Sequence, residues 1–256
     1  ADYFDQLANQ IKNAFNERFY RPEGQTYASG EQTALGCALY FGLAPEDNGP
    51  AIAGNLAKTI RSNHGLLDCG VLGAKYILHA LADNDQEALA YQIAKEQRYP
   101  SWGYWIKNGA TTLWEDFNTK SKDNSHNHMF FGDIVHWCYK VLAGIRPDPE
   151  HSGFKHFYIK PYLPEDLDWV EARIESIYGT IKSAWKKESS QTVFDIAAPP
   201  NTTGTIYLPV QDIKYLEVDG KPVSEVENVD LISMEENFAV LKVGSGEFQF
   251  KVKSDL

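Results

Sequence analysis

The chain is poor in sulfur and short of positive charge. Its 256 residues include three cysteines and two methionines, and 24 lysines and arginines stand against 35 aspartates and glutamates, giving a formal net charge of -11. An odd number of cysteines cannot all pair within one chain, and Cys37, Cys69 and Cys138 lack the spacing of a zinc site. Each sits among apolar or small residues and reads as a small buried hydrophobe. No cluster of Lys and Arg is interleaved with aromatics, so nucleic acid is disfavoured as a partner. No apolar run approaches the roughly 20 residues of a membrane span. Gly103 and Gly109 are isolated, so no phosphate-cradling loop is present, and no Ser, His and Asp set with a nucleophile elbow is visible. Nucleotide chemistry and covalent catalysis are disfavoured accordingly, and no cofactor is called for. The chain begins with Ala1 and shows no basic-then-apolar leader, which reads as removal of a leader or of a whole upstream region.

What the chain does have is aromatic surface beside carboxylates. Tyr99-Pro100-Ser101-Trp102-Gly103-Tyr104-Trp105 is followed by Gly109-Ala110-Thr111-Thr112-Leu113-Trp114-Glu115-Asp116. Flat rings offer an apolar surface to the C–H groups of sugars. A carboxylate among them is partly desolvated and can be tuned for acid or base work. An acidic, aromatic cleft suits a neutral, hydroxyl-rich substrate.

The period of the apolar residues changes along the chain. Phe4, Leu7, Ala8, Ile11, Phe15 and Phe19 recur at helical steps. Ser29 and Gln32 have the spacing of a capping box for a second helix ending near Phe41. Further helices are expected around Ala51 to Ile60, Val71 to Leu81, Asp85 to Gln97 and Phe130 to Leu142, with the aromatic segment as loop. Allowing about 11 residues per helix plus a connection, the first 145 residues hold about six to eight. From about residue 152 the period becomes two. Strands are expected at 157–159, 170–174, 181–185, 192–196, 205–208, 239–243 and 248–252, with turns at Tyr178-Gly179 and Asp219-Gly220. Short strands at this density suggest an antiparallel sandwich. Arg146-Pro147-Asp148-Pro149 reads as the linker, since two prolines stop a helix.

The order and spacing of several motifs resemble glycoside hydrolase family 78, the inverting α-L-rhamnosidases. The resemblance rests on the aromatic run, on Thr111-Thr112-Leu113-Trp114-Glu115, on Asn127-His128 with Phe131-Gly132 and Trp137, and on flanking pieces. These are Glu31-Gln32-Thr33-Ala34, Leu67 to Gly73, Leu142 to Ile145, Gly153-Phe154 and Ala198 to Thr203. It covers nearly the whole chain. The family uses a barrel of six helix pairs, so the resemblance implies half of an (α/α)6 barrel over residues 1–147, then a jelly-roll-like antiparallel sandwich over 148–256. It implies a C-terminal fragment whose partner is the remaining N-terminal part of the enzyme, and whose ligand is a rhamnose-containing glycoside. Exported family members imply periplasm or exterior.

By the same resemblance Glu115 is the general base. His128 holds the bound sugar, with Asn127 beside it, and Trp102, Trp105 and Trp114 are candidates for a stacking wall. Asp116 either raises the pKa of Glu115 or faces solvent. The partner acid is missing, because no upstream segment dense in Asp, Arg, Glu and Trp is present. His126 and His128, two apart, lack further ligands at metal-site spacing, and His79 and His136 read as structural. Two other readings stay open: a non-catalytic carbohydrate-binding or structural piece, and another helical-barrel enzyme such as a lyase or phosphorylase. An acidic balance argues against a uronide lyase, and the lack of a Lys/Arg cluster near Glu115 against a phosphorylase.

Overall fold

The computed structural model describes residues 2–45, 47–118 and 124–253. They divide into two compact units, 1–137 and 138–256.

The first unit is helical: α1 (Asp2–Phe19), α2 (Gln32–Tyr40), α3 (Gly49–Ser62), α4 (Val71–Ala82), α5 (Glu87–Ala94), α6 (Trp102–Lys107) and α7 (Asp133–Trp137). A two-residue hairpin of β1 (Tyr20–Arg21) and β2 (Thr26–Tyr27) follows α1. Helix α2 packs on α3 and α4, and α4 on α5. Their buried faces bring Leu35, Ile52, Leu56, Ile60, Ile77, Leu78, Leu81 and Ile93 together. The approach of α2 to α4 is close because Gly36 has no side chain, since a Cβ there would lie 2.9 Å from Ile77 Cγ1.

Gln32 does not form a capping box. Glu31 occupies the N-cap and its carboxylate accepts from Ser29 N–H. Gln32 is buried instead, its amide donating to Leu66 O at 3.0 Å and accepting from Asp68 N–H at 2.9 Å. A fixed pair of polar contacts of this kind satisfies the backbone of the α3–α4 connection where water cannot reach. The amphipathic helix expected here is α1, and its apolar stripe is uncovered: α1 contains no buried residue, and Tyr3, Phe4 and Ile11 are exposed. Phe15 alone of that stripe meets a ring across the turn, Tyr27, with centroids 5.6 Å apart.

The second unit opens with a π-helical turn at Cys138–Leu142, so the last expected helix is divided into a 3₁₀ turn at Met129–Gly132, α7 and this turn. The strands are β3 (Ile145–Pro147), β4 (His156–Ile159), β5 (Trp169–Ser176), β6 (Gly179–Glu188), β7 (Gln191–Ala198), β8 (Thr203–Pro209), β9 (Leu216–Val218), β10 (Lys221–Pro222), β11 (Val229–Glu235), β12 (Phe238–Val243) and β13 (Gly246–Lys253). They form one sheet of order β10-β9-β13-β7-β6-β5 and one of order β11-β12-β8-β4-β3. Every neighbouring pair is antiparallel except β4 and β8, which run parallel because the chain makes β5, β6 and β7 in the other sheet between them.

Residues read as a linker are built into this unit: Ile145–Pro147 pairs with β4 as an edge strand, a place where proline costs no ladder bond. The core includes Phe157, Ile159, Trp185, Phe194, Ile206, Leu208, Leu241 and Phe250. Trp185 Nε1–H donates to Leu142 O at 2.7 Å and Ser183 Oγ–H to Ala143 O at 2.7 Å, anchoring the entering chain. Gly144 lies at φ +78, and a Cβ on it would stand 2.3 Å from Pro161 N.

Two measurements check this packing. Phe157 is fully buried against the slot left by Gly204, where a Cβ would come within 2.9 Å of the ring. Phe157→Ala is expected to lower unfolding free energy by ~3–5 kcal/mol in a denaturant titration. The exposed stripe of α1 is expected to drive self-association of the 256-residue chain, and Phe4→Glu with Ile11→Glu to reverse it, read by size exclusion with light scattering.

Candidate active site

The aromatic segment holds a short helix that the sequence reading took for loop. Helix α6 starts at Ser101, whose Oγ accepts from Tyr104 N–H at 3.0 Å. A serine cap of this kind satisfies one of the helix's orphan donors. The preceding Tyr99-Pro100 bond is cis. Gly103 lets α6 lie against the end of α5, for a Cβ there would meet Glu96 O at 2.3 Å. Glu96 in turn organises the approach. Its Oε1 accepts from Gln97 N–H and Arg98 N–H, both at 2.7 Å, and its Oε2 from the Arg98 guanidinium at 2.5 Å. The guanidinium bond and the two backbone donors hold the Glu96 carboxyl down at about 2.

Trp102, Trp105 and Trp114, read as a stacking wall, are 7%, 2% and 8% exposed. They belong to a packed knot with Phe117 and Phe131. Trp105 and Phe117 lie with centroids 4.8 Å apart, Phe117 and Phe131 4.5 Å, and Trp105 meets Phe131 edge-on at 5.3 Å. Both deepest indoles find acceptors: Trp102 Nε1–H donates to Phe131 O at 3.0 Å and Trp105 Nε1–H to Asp116 O at 2.8 Å. Those ring faces are occupied by protein, and what they visibly do is carry the two backbone segments bearing the polar residues. Trp114 is covered by His126, stacked on it at 4.1 Å and 11°.

The two segments are zipped together. Glu115 N–H donates to Ser125 O at 2.9 Å, Ser125 N–H donates back to Glu115 Oε2 at 2.8 Å, and His128 N–H donates to Leu113 O at 2.9 Å. Thr112 Oγ–H adds a bond to His126 O. Glu115, at the end of the Thr-Thr-Leu-Trp-Glu motif, and His128 are thereby brought to one edge. Glu115, His126 and Asn127 are exposed and His128 is half-buried. The Asp116 carboxylate is turned back on its own loop, accepting from Asn118 N–H at 2.9 Å and from the Asn124 amide at 3.3 Å. His128 Nδ1 accepts from Phe130 N–H at 3.3 Å, which leaves the proton of a neutral ring on Nε2 as a donor. Asn127 N–H donates to Ser125 Oγ at 3.1 Å.

A second constellation was not foreseen. His79 of α4 and Asp133 and His136 of α7 present ligand atoms that all lie within 4.8 Å of one another. The i, i+3 spacing of Asp133 and His136 was the available signal. Its partner on another helix was not visible from spacing.

Residues 1–142, the helical unit with its aromatic connection, match the family model described as the bacterial alpha-L-rhamnosidase 6 hairpin glycosidase domain. Residues 144–222 match the bacterial alpha-L-rhamnosidase C-terminal domain. The chain belongs to the bacterial α-L-rhamnosidase family. An α-L-rhamnosidase of Formosa agariphila is 29% identical over 261 residues, covering 99% of this chain and 28% of the relative. The crystal structure of the Streptomyces avermitilis α-L-rhamnosidase, complexed with L-rhamnose, superposes with a TM-score of 0.89 at 27% identity, over 98% of this chain and 24% of that one. The α-L-rhamnosidase of Dictyoglumus thermophilum gives a TM-score of 0.88 at 32% identity, over 99% and 29%. The chain thus spans about a quarter of the length of these relatives, and in that quarter the fold is the later part of the helical barrel followed by a β-sandwich.

The Glu96 contacts predict a pH dependence. A carboxyl with a depressed folded pKa stabilises the fold above its unfolded value, here the ordinary 4.5, and that contribution is lost as pH falls toward about 2. Wild type is expected to exceed Glu96→Gln in stability by up to ~1 kcal/mol at neutral pH. Thermal melts should show the gap closing between these two values.

Proposed function

We propose that this chain carries the base and part of the sugar-holding edge of an inverting α-L-rhamnosidase, acting on terminal α-L-rhamnose of plant glycosides or polysaccharides. The observation that supports this most is the Glu115 carboxylate, exposed at the end of a matching motif and held through Oε2 by the Ser125 N–H at 2.8 Å. With Oε2 engaged, Oε1 is assigned to the attacking water, whose proton it takes as the water adds to the anomeric carbon. His128 is assigned to a sugar hydroxyl through its Nε2–H, and the Asn127 amide to a neighbouring one. The aromatic knot serves by holding both segments in register.

Inversion requires a second, protonated carboxyl roughly 6.5–9.5 Å from the base, which gives its proton to the glycosidic oxygen as that C–O bond breaks and the alcohol leaves, with room for the attacking water between the two carboxyls. Asp116 is committed to its own loop, so the acid is assigned to a carboxyl in the N-terminal part of a rhamnosidase, the partner of these residues. Metal and cofactor have no part in this scheme, which runs on two carboxyls and a water.

The test joins these residues to that N-terminal part. Glu115→Gln is expected to lower kcat by ~10²–10⁴-fold while L-rhamnose binding, measured by calorimetry, is retained. His128→Ala should act mainly on KM. The first sugar released, followed by proton NMR, should be the inverted anomer. The 256 residues alone are expected to release no alcohol from an alkyl α-L-rhamnoside. Near wild-type kcat in Glu115→Gln would remove Glu115 from the mechanism and favour a sugar-holding role without catalysis.

A further inference from the structure

Two helices of the first unit converge on three metal-competent side chains. His79 stands on α4, is 1% exposed, and has its Nε2 2.7 Å from Asp133 Oδ2. One helical turn along α7, His136 Nδ1 lies 3.7 Å from the other oxygen, Asp133 Oδ1. The two imidazoles face each other with centroids 4.8 Å apart. One carboxylate therefore reaches two histidines, one from each helix.

The geometry of the set suits a cation. Bonds of about 2.0–2.1 Å to imidazole nitrogen and carboxylate oxygen put tetrahedral ligand atoms roughly 3.3 Å apart. The separations here are of that order: His79 Nε2 lies 2.7 Å from Asp133 Oδ2, His136 Nδ1 lies 3.7 Å from Asp133 Oδ1, and one ligand atom from each residue falls within 4.8 Å of the others. The half of the set that has to adjust is the free half: the His136 side chain is 56% exposed, whereas His79 is fixed by burial against Tyr40. The exposed side also gives an ion its route in and leaves positions for water.

We propose that His79, Asp133 and His136 form a binding site for a divalent transition ion of the zinc class. Two imidazoles and one carboxylate are a borderline donor set, matched to Zn²⁺ and not to the oxygen-seeking Mg²⁺ or Ca²⁺. The ion would pin α7 to α4. Helix α7 follows directly on the 3₁₀ turn that begins after His128, so the same clamp fixes the segment presenting that histidine. Its role is structural support of the site, and no reaction step passes through it.

The probe is Zn²⁺ added to the 256-residue chain after chelation and dialysis, with Mg²⁺ as the parallel arm. One Zn²⁺ per chain is expected by calorimetry, with a rise in melting temperature that Mg²⁺ does not give. Co²⁺ in its place should produce a visible ligand-field band. His136→Ala, a change at an exposed position, is expected to fold normally, lose the Co²⁺ band and weaken Zn²⁺ binding by at least about tenfold. Asp133→Asn should do the same. His126→Ala, which removes a histidine outside the set, should leave binding as it is. Absence of saturable binding, a loss in His136→Ala smaller than tenfold, or loss of the ion in His126→Ala would each overturn the assignment.

Discussion

The donation of two indole N–H groups to two backbone carbonyls governs the edge that carries Glu115 and His128. Trp102 holds Phe131 O and Trp105 holds Asp116 O, and the rings that carry these donors are packed with Phe117 and Phe131. A buried indole donor that lost its acceptor would cost about 1–3 kcal/mol. The two carbonyls are therefore placed as firmly as the rings. From those two points the chain runs one residue back to Glu115 and three residues back to His128. Aromatic burial is non-directional, but here it is made directional by the single polar atom on each ring.

The helical period of the first unit and the alternation of the second were legible because burial on one face imposes them. Strands β4 to β8, β12 and β13 all contain residues that alternate toward the Phe157–Phe250 core. Strand β11 was not legible, since Leu231, Ile232 and Met234 are exposed and the segment has no buried face to impose a period. Strands β9 and β10 are too short to show one. Their turn was readable nonetheless, because Asp219 and Gly220 adopt the positive φ of a tight hairpin, and Asp-Gly is the pair that tolerates it. Helix α6 escaped because six residues with three aromatics carry a weak helical signal, and its start depends on one serine cap.

Within the site, chemistry was more legible than position. Glu115 and His128 stood out through their motifs, and the structure brings them to one edge through the ladder between residues 112–115 and 125–128. The tryptophans stood out too, but ring type does not reveal which side of a ring meets solvent. That is decided by partners distant in sequence, such as Phe131 for Trp102. The His79–Asp133–His136 set has the same character: 54 residues separate its closest pair, and only the packing of α4 with α7 joins them.

The ladder has an evolutionary side. Glu115 is bonded to Ser125 and Asp116 to Asn124, so residues ten and eight apart in the chain are tied directly. A backbone bond such as Glu115 N–H to Ser125 O is made by atoms that every residue but proline carries. Substitution at the exposed Ser125 or Asn127 therefore leaves that tie in place, while Phe117, packed with Trp105 and Phe131, does not share the freedom. The spacing of Glu115 and His128 is in this way insulated from side-chain change at the surface.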